Sequence, residues 1–221
     1  MTYHGIVHAG GPPAVHELAQ LIVTKIAVGP KAANCYLLRD RLTGEQVLID
    51  AADDAPTLIQ LVNGELAAVV TTHPHRDHWR ALAEVVAATG AVTMAGAHDA
   101  GAIEVPTKVP LHDGDEIRLG RSLLTAMHLA GDAPGAVALV YDDPKGHPHL
   151  FTGDLLSGAG AGAGAGAGSG AGSGAGSRSG AGPTPAELLT GALATLPDET
   201  WVYPARGNDS TLGAERAGIG A

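Results

Sequence analysis

Six consecutive positions, His73-Pro74-His75-Arg76-Asp77-His78, carry three imidazoles and a carboxylate. They follow Thr72 and the apolar run Ala67-Ala68-Val69-Val70. Side chains two apart on an extended segment point the same way, so His73 and His75 can converge on one point. A turn then brings Asp77 and His78 round at the start of a helix expected over residues 79–88. Imidazole and carboxylate together suit zinc, iron or manganese. Eleven histidines in 221 residues make some clustering ordinary, but H-x-H-x-D-H closing a strand is specific enough to read as a metal site.

The elements that must position these groups are legible in outline. Strand-like runs cover residues 21–28, 34–38 and 46–49, with a hairpin turn at Arg41-Leu42-Thr43-Gly44. Asp53-Asp54 supplies an N-cap for a helix over 55–62, whose apolar positions Leu58, Ile59, Leu61 and Val62 suit packing. The strand 67–71, the metal motif, the helix from Trp79, a strand at 91–95 and a short turn or helix at 97–102 follow. Further strands are expected near 116–119, 123–127, 137–141 and 149–152. Residues 184–194 read as a helix opened by Thr184-Pro185-Ala186-Glu187, and 199–203 as a last strand. Strand and helix alternate in the first half, and hairpins dominate the second. The expected class is α/β (α+β), two sheets packed face to face with helices outside.

One domain spanning residues 1–221 is expected, since this length buries a full core without demanding a second. Within it, residues 157–182 are almost wholly Gly, Ala and Ser with one charge, Arg178. Such a tract has no large side chain to bury and is read as a linker or a replacement for an ordinary loop. Aromatic residues make up only 3% of the chain, so Val, Leu, Ile and Ala must build the core. A formal net charge of -10 argues against a basic nucleic-acid-binding surface. The single cysteine, Cys35, excludes an internal disulfide and reads as a small buried side chain in a strand, not a nucleophile. No apolar run approaches the ~20 residues that span a bilayer. The first eleven residues lack the basic start and apolar stretch of a secretory signal. A soluble cytoplasmic protein acting on a small molecule is the expectation.

Thr72 to Trp79, with Ala81-Leu82-Ala83-Glu84 behind it, resembles the metallo-β-lactamase-fold hydrolases, including the glyoxalase-II-like members. Val47-Leu48-Ile49-Asp50 is similar to the family's strand ending in a supporting aspartate, and Phe151-Thr152-Gly153-Asp154 to its T-G-D segment. The resemblance runs from about residue 22 to 156 and again from 184 to 215. It implies a four-layer αββα sandwich with a one- or two-metal site at one edge of the sheets, zinc foremost and iron or manganese as alternatives. Carried over, His73 and His75 would hold a first metal, Asp77 and His78 a second, and Asp154 would bridge them. Asp77 would also orient the nucleophile and accept its proton, while Asp50 would fix a ligand histidine. In this family the metal lowers the pKa of a bound water toward ~7, and the resulting hydroxide attacks an ester, thioester or amide.

Two positions depart from the pattern. Gly131-Asp132-Ala133-Pro134-Gly135 stands where the family reads G-H-T-P-G, so Asp132 replaces a histidine ligand of the first metal. Pro204-Ala205-Arg206-Gly207 stands where P-G-H-G is usual, so Arg206 replaces a ligand of the second. Aspartate still ligates; arginine, protonated at every accessible pH, does not. Asp77, Asp132 and Asp154 would bring three negative charges together, and one divalent ion with Arg206 in the second metal's place would balance them. The site is therefore expected to be substituted and weakened, and a non-catalytic metal- or ligand-binding protein on the same fold is the alternative. The remaining histidines read as bystanders. His98 with Asp99 reads as a surface helix start, His112-Asp113-Gly114-Asp115 as a tight turn, and His147-Pro148-His149 as a solvent-facing turn. His128 reads as packing or exposed, and His4, His8 and His16 as partnerless in a weakly structured start.

Overall fold

The computed structural model describes residues 3–129, 133–156 and 184–219. Asp132 and the Gly-Ala-Ser tract at 157–182 lie outside them. One seven-stranded sheet holds β1 (Ala14–Glu17), β2 (Leu21–Val28), β3 (Ala33–Asp40), β4 (Gln46–Ile49), β5 (Leu66–Thr71), β6 (Val92–Gly96) and β7 (Val109–Leu111) in sequence order. Its first four strands pair antiparallel and β4 to β7 pair parallel. Parallel neighbours need crossovers, and α1 (Ala55–Leu61) and α2 (Leu82–Thr89) provide two of them. The second sheet holds β8 (Glu116–Leu119), β9 (Ser122–His128), β10 (Val137–Tyr141), β11 (His149–Gly153), β12 (Trp201–Pro204) and β13 (Ser210–Thr211). Its order is β13-β12-β11-β10-β9-β8, and only β11 and β12 run parallel. Helices α3 (Pro185–Thr190) and α4 (Leu212–Ile219) complete the chain.

Three apolar layers hold four structural ones. Because strand side chains alternate, neighbouring residues serve different layers. Tyr36, Leu38, Val47, Ile49 and Val70 meet Leu124, Leu139, Phe151 and Tyr203 between the sheets. Leu37, Leu48 and Val69 point the other way, onto Leu58 of α1 and Leu82 and Val85 of α2. On the far side Ala138, Leu150 and Val202 pack against Leu188, Leu189 and Leu212 of α3 and α4. The two packed sheets expected from the pattern, and the αββα sandwich that the resemblance implies, are the observed architecture.

Differences from the expected elements are local. The helix read from Trp79 begins at Leu82, preceded by a 3-10 turn, Arg76–His78. Trp79 Nε1 donates to Pro74 O at 2.8 Å, and Ala81 N to Ala51 O at 2.9 Å. Those two bonds hold the approach to the helix in a non-helical path. The capping box at Thr184 and Glu187 starts α3, which stops at Thr190, short of 194. Strands β1, β7 and β13 and helix α4 carry too few apolar repeats to be read from the pattern.

Candidate metal centre

The ends of four strands meet at one edge of the sandwich. Strand β4 runs into Asp50, β5 into Thr72 and His73, β11 into Asp154, and β12 into Arg206. Carboxyl ends of parallel strands are the general place for such convergence in open α/β sheets. Asp50 takes a left-handed backbone, φ 59°, which aspartate tolerates better than most residues. Its carboxylate thereby turns inward and accepts from Thr72 N and Thr72 Oγ1, both at 2.8 Å. Gly153 sits at φ 56°, and a Cβ there would lie 2.6 Å from Thr72 Oγ1. Glycine at this position lets β11 approach the end of β5.

His78 is the hub. Its buried ring lies between two carboxylates, with Nδ1 2.8 Å from Asp50 Oδ2 and Nε2 3.0 Å from Asp154 Oδ2. Burial opposes a charge on this imidazole, but Asp50 and Asp154 outweigh it and hold its pKa up at about 10. His73 is buried, His75 is exposed, and their rings are 4.4 Å apart. Donor atoms of His73, His78 and Asp154 all lie within 4.8 Å of one another. Nitrogen and carboxylate donors at this separation fit a divalent transition metal. The resemblance distributed His73 and His78 over two metals with Asp154 between them, and these are the three residues whose donors cluster here.

Arg206 spans the remaining carboxylates. Nη1 donates to Asp154 Oδ1 at 2.6 Å and Nη2 to Asp77 Oδ2 at 2.5 Å. Lys31 Nζ reaches the same Asp77 oxygen at 3.0 Å. Burial pushes the Asp77 and Asp154 carboxyls up, but their cationic neighbours prevail and both pKa values are lowered. For Asp77 those neighbours are Lys31, Arg206 and His78, and for Asp154 they are His78 and Arg206.

The loop bearing Arg206 is clamped from below. Asn34 Nδ2 donates to Pro204 O and Gly207 O, both at 2.9 Å, and Lys25 Nζ to Gly207 O at 2.8 Å. Lys25, fully buried, also pairs with Asp209 at 2.6 Å and donates to Gly5 O at 2.8 Å. Tyr36 donates to Pro204 O at 2.6 Å, and Tyr3 bonds the other Asp209 oxygen. Sequence reasoning missed Lys25 and Asp209. An isolated lysine in an apolar strand, Leu21 to Val28, was the available signal for a buried pair.

Several bystanders stand differently from expectation. His149 is buried in β11 rather than exposed in a turn, and His16 belongs to β1. Both Nδ1 atoms meet Tyr203 Oη, at 2.8 and 2.9 Å respectively, so neither histidine is partnerless or solvent-facing. They lie where β1 and β11 both face the aromatic layer between the sheets, a tertiary placement without a local signal. Asp99 is buried too, and its Oδ1 accepts from Gly135 N at 3.0 Å. His128 Nε2 contacts Pro134 O at 2.6 Å. His112 N donates to Asp115 Oδ2 at 2.7 Å across the tight turn. Burial pushes the Cys35 thiol up, which makes it unreactive.

The family model described as the metallo-beta-lactamase superfamily matches residues 28–203. A hydroxyacylglutathione hydrolase from Fuscovulum blasticum is 33% identical over 171 residues, which is 76% of this chain and 59% of that relative. The chain thus spans little more than half of that relative's length. Among solved structures, TTHA1623 in a di-iron-bound form is 29% identical at a TM-score of 0.65, covering 86% of this chain and 96% of that one. BLEG-1, a B3 metallo-beta-lactamase, shares the fold at a TM-score of 0.71 and 20% identity, covering 88% of this chain and 96% of its own.

Proposed function

Because the chain belongs to the metallo-beta-lactamase superfamily, we propose that it is a hydrolase of esters, thioesters or amides built around a single divalent ion. The observation that carries this reading is Arg206, whose guanidinium bridges Asp77 and Asp154 where a second ion would need those carboxylates. His73, His78 and Asp154 would hold the one ion, with His75 beside them. Such an ion, when bound, is a Lewis acid that acidifies water and polarises an acyl carbonyl.

The chain's own residues do the rest. Asp50 fixes the His78 ring through Nδ1, leaving Nε2 turned toward the donor cluster. Asp77 has a lowered pKa and is therefore a weak proton acceptor. Its role is to orient the attacking water by accepting a hydrogen bond. Arg206 is permanently charged and partly exposed, so it offers its remaining N–H groups to negative charge developing on the substrate.

Metal analysis tests the reading directly. The protein saturated with zinc or manganese and then desalted is expected to retain about one ion per chain, and Arg206→His about two. Two tightly held ions in the unaltered protein, or none, would sink the single-ion assignment. Turnover of aryl esters and thioesters by the loaded protein tests the hydrolase assignment, and its complete absence would leave a binding protein on the same fold.

A further inference from the structure

We propose that Lys31 and Arg206 form an anion-recognition subsite that selects substrates bearing a fixed carboxylate or phosphate group, an inference that rests on the hydrolase reading above. Both cations meet one oxygen of one carboxylate, Asp77 Oδ2, at 3.0 and 2.5 Å. An ammonium has three donors and a guanidinium five. Among the described residues Lys31 makes this one hydrogen bond and Arg206 makes two through its side chain. The side chains are 62% and 35% exposed, so unused donors are open to solvent.

Lys31 is delivered there by a stiff turn between β2 and β3. Gly29 and Ala32 both have positive φ, 68° and 48°, and Ala32 N closes the turn onto Gly29 O at 3.1 Å. A Cβ on Gly29 would lie 2.7 Å from Asp53 Cβ, so the turn is seated against the neighbouring loop. A non-glycine residue at positive φ is strained and persists where its surroundings impose it. The strain at Ala32 marks a fixed position for the lysine that precedes it. Exposed ion pairs are weak, so Lys31 can exchange Asp77 for an incoming anion at little cost. The protein as a whole carries a formal charge of -10. Lys31 and Arg206 are balanced locally by Asp77 and Asp154, so an anionic group is recognised here at short range, by the N–H donors the two carboxylates leave unused.

Calorimetric titration of the zinc-loaded full chain with succinate, inorganic phosphate and the uncharged succinamide tests the subsite. A charge-assisted hydrogen bond lost to Lys31→Met should weaken the recognised anion about tenfold. Succinamide should bind poorly to both proteins, and the anion showing the larger loss identifies the preferred group. In parallel, kcat/KM for a succinyl thioester relative to a butyryl thioester should fall about tenfold in Lys31→Met. Equal anion affinity in the two proteins would overturn the subsite, even if thioesters are hydrolysed. A tenfold loss of affinity without any turnover would uphold the subsite and remove the hydrolase reading alone.

Discussion

His78 shows how much a single side chain depends on what stands behind it. Its Nδ1 is held by Asp50, and Asp50 is itself held by two bonds from Thr72 and by a left-handed backbone. Replacing Asp50 with asparagine removes the charge that fixes the ring, and such outer-shell changes cost about 10–100-fold in metal affinity. Competition with a chelator should therefore show Asp50→Asn binding zinc 10–100-fold more weakly, and unchanged affinity would refute the positioning role. At this scale the sequence was informative because the motif is contiguous: His73 to His78 occupy six positions, and Asp50 closes a recognisable apolar run. The contact of Arg206 with Asp77 spans 129 positions. Charge balance among the carboxylates was the one available clue to it.

Among the elements, the segment from Pro204 to Asp209 is held by side chains from two neighbouring strands. Main-chain carbonyls that a loop would ordinarily turn to water are taken by Asn34, Tyr36 and Lys25. Lys25 and Asp209 are both fully buried, and burial lowers the pKa of the lysine and raises that of the aspartate. Breaking one partner of a buried pair leaves the other uncompensated, at a cost of about 3–5 kcal/mol. Lys25→Met is expected to lose that much in urea unfolding, and Lys25→Met with Asp209→Leu to recover part of it. A single variant as stable as the parent would show that the pair holds nothing. Strands with strong alternation and helices with caps were readable from local pattern. The early start expected for α2 failed because two tertiary bonds, Trp79 to Pro74 and Ala81 to Ala51, decide the backbone path there.

Across the whole molecule, three apolar layers account for the sandwich, and the alternation of Leu37 with Leu38 or Leu150 with Phe151 already contains them. The histidines within the inter-sheet layer were not readable, since nothing local distinguishes a buried imidazole from an exposed one. Their burial contributes to the acid response. Burial lowers the His149 pKa from 6.5 to about 3, and burial lowers that of His16 too. Between about pH 3 and 6.5 the unfolded chain binds a proton at His149 that the folded chain refuses, so stability falls as pH falls. His149→Gln should reduce that slope by about 1.4 kcal/mol per pH unit, one proton's worth. Urea unfolding at several pH values across this window is the measurement, and an unchanged slope would remove His149 as the cause. Lys25 couples two further regions, because its ammonium also holds Gly5 O while Tyr3 holds Asp209. Removing the segment that carries Tyr3 and Gly5 would take one acceptor and one donor away from this clamp. The amino-terminal segment is thereby a remote handle on Arg206, a residue it does not need to touch in order to disturb.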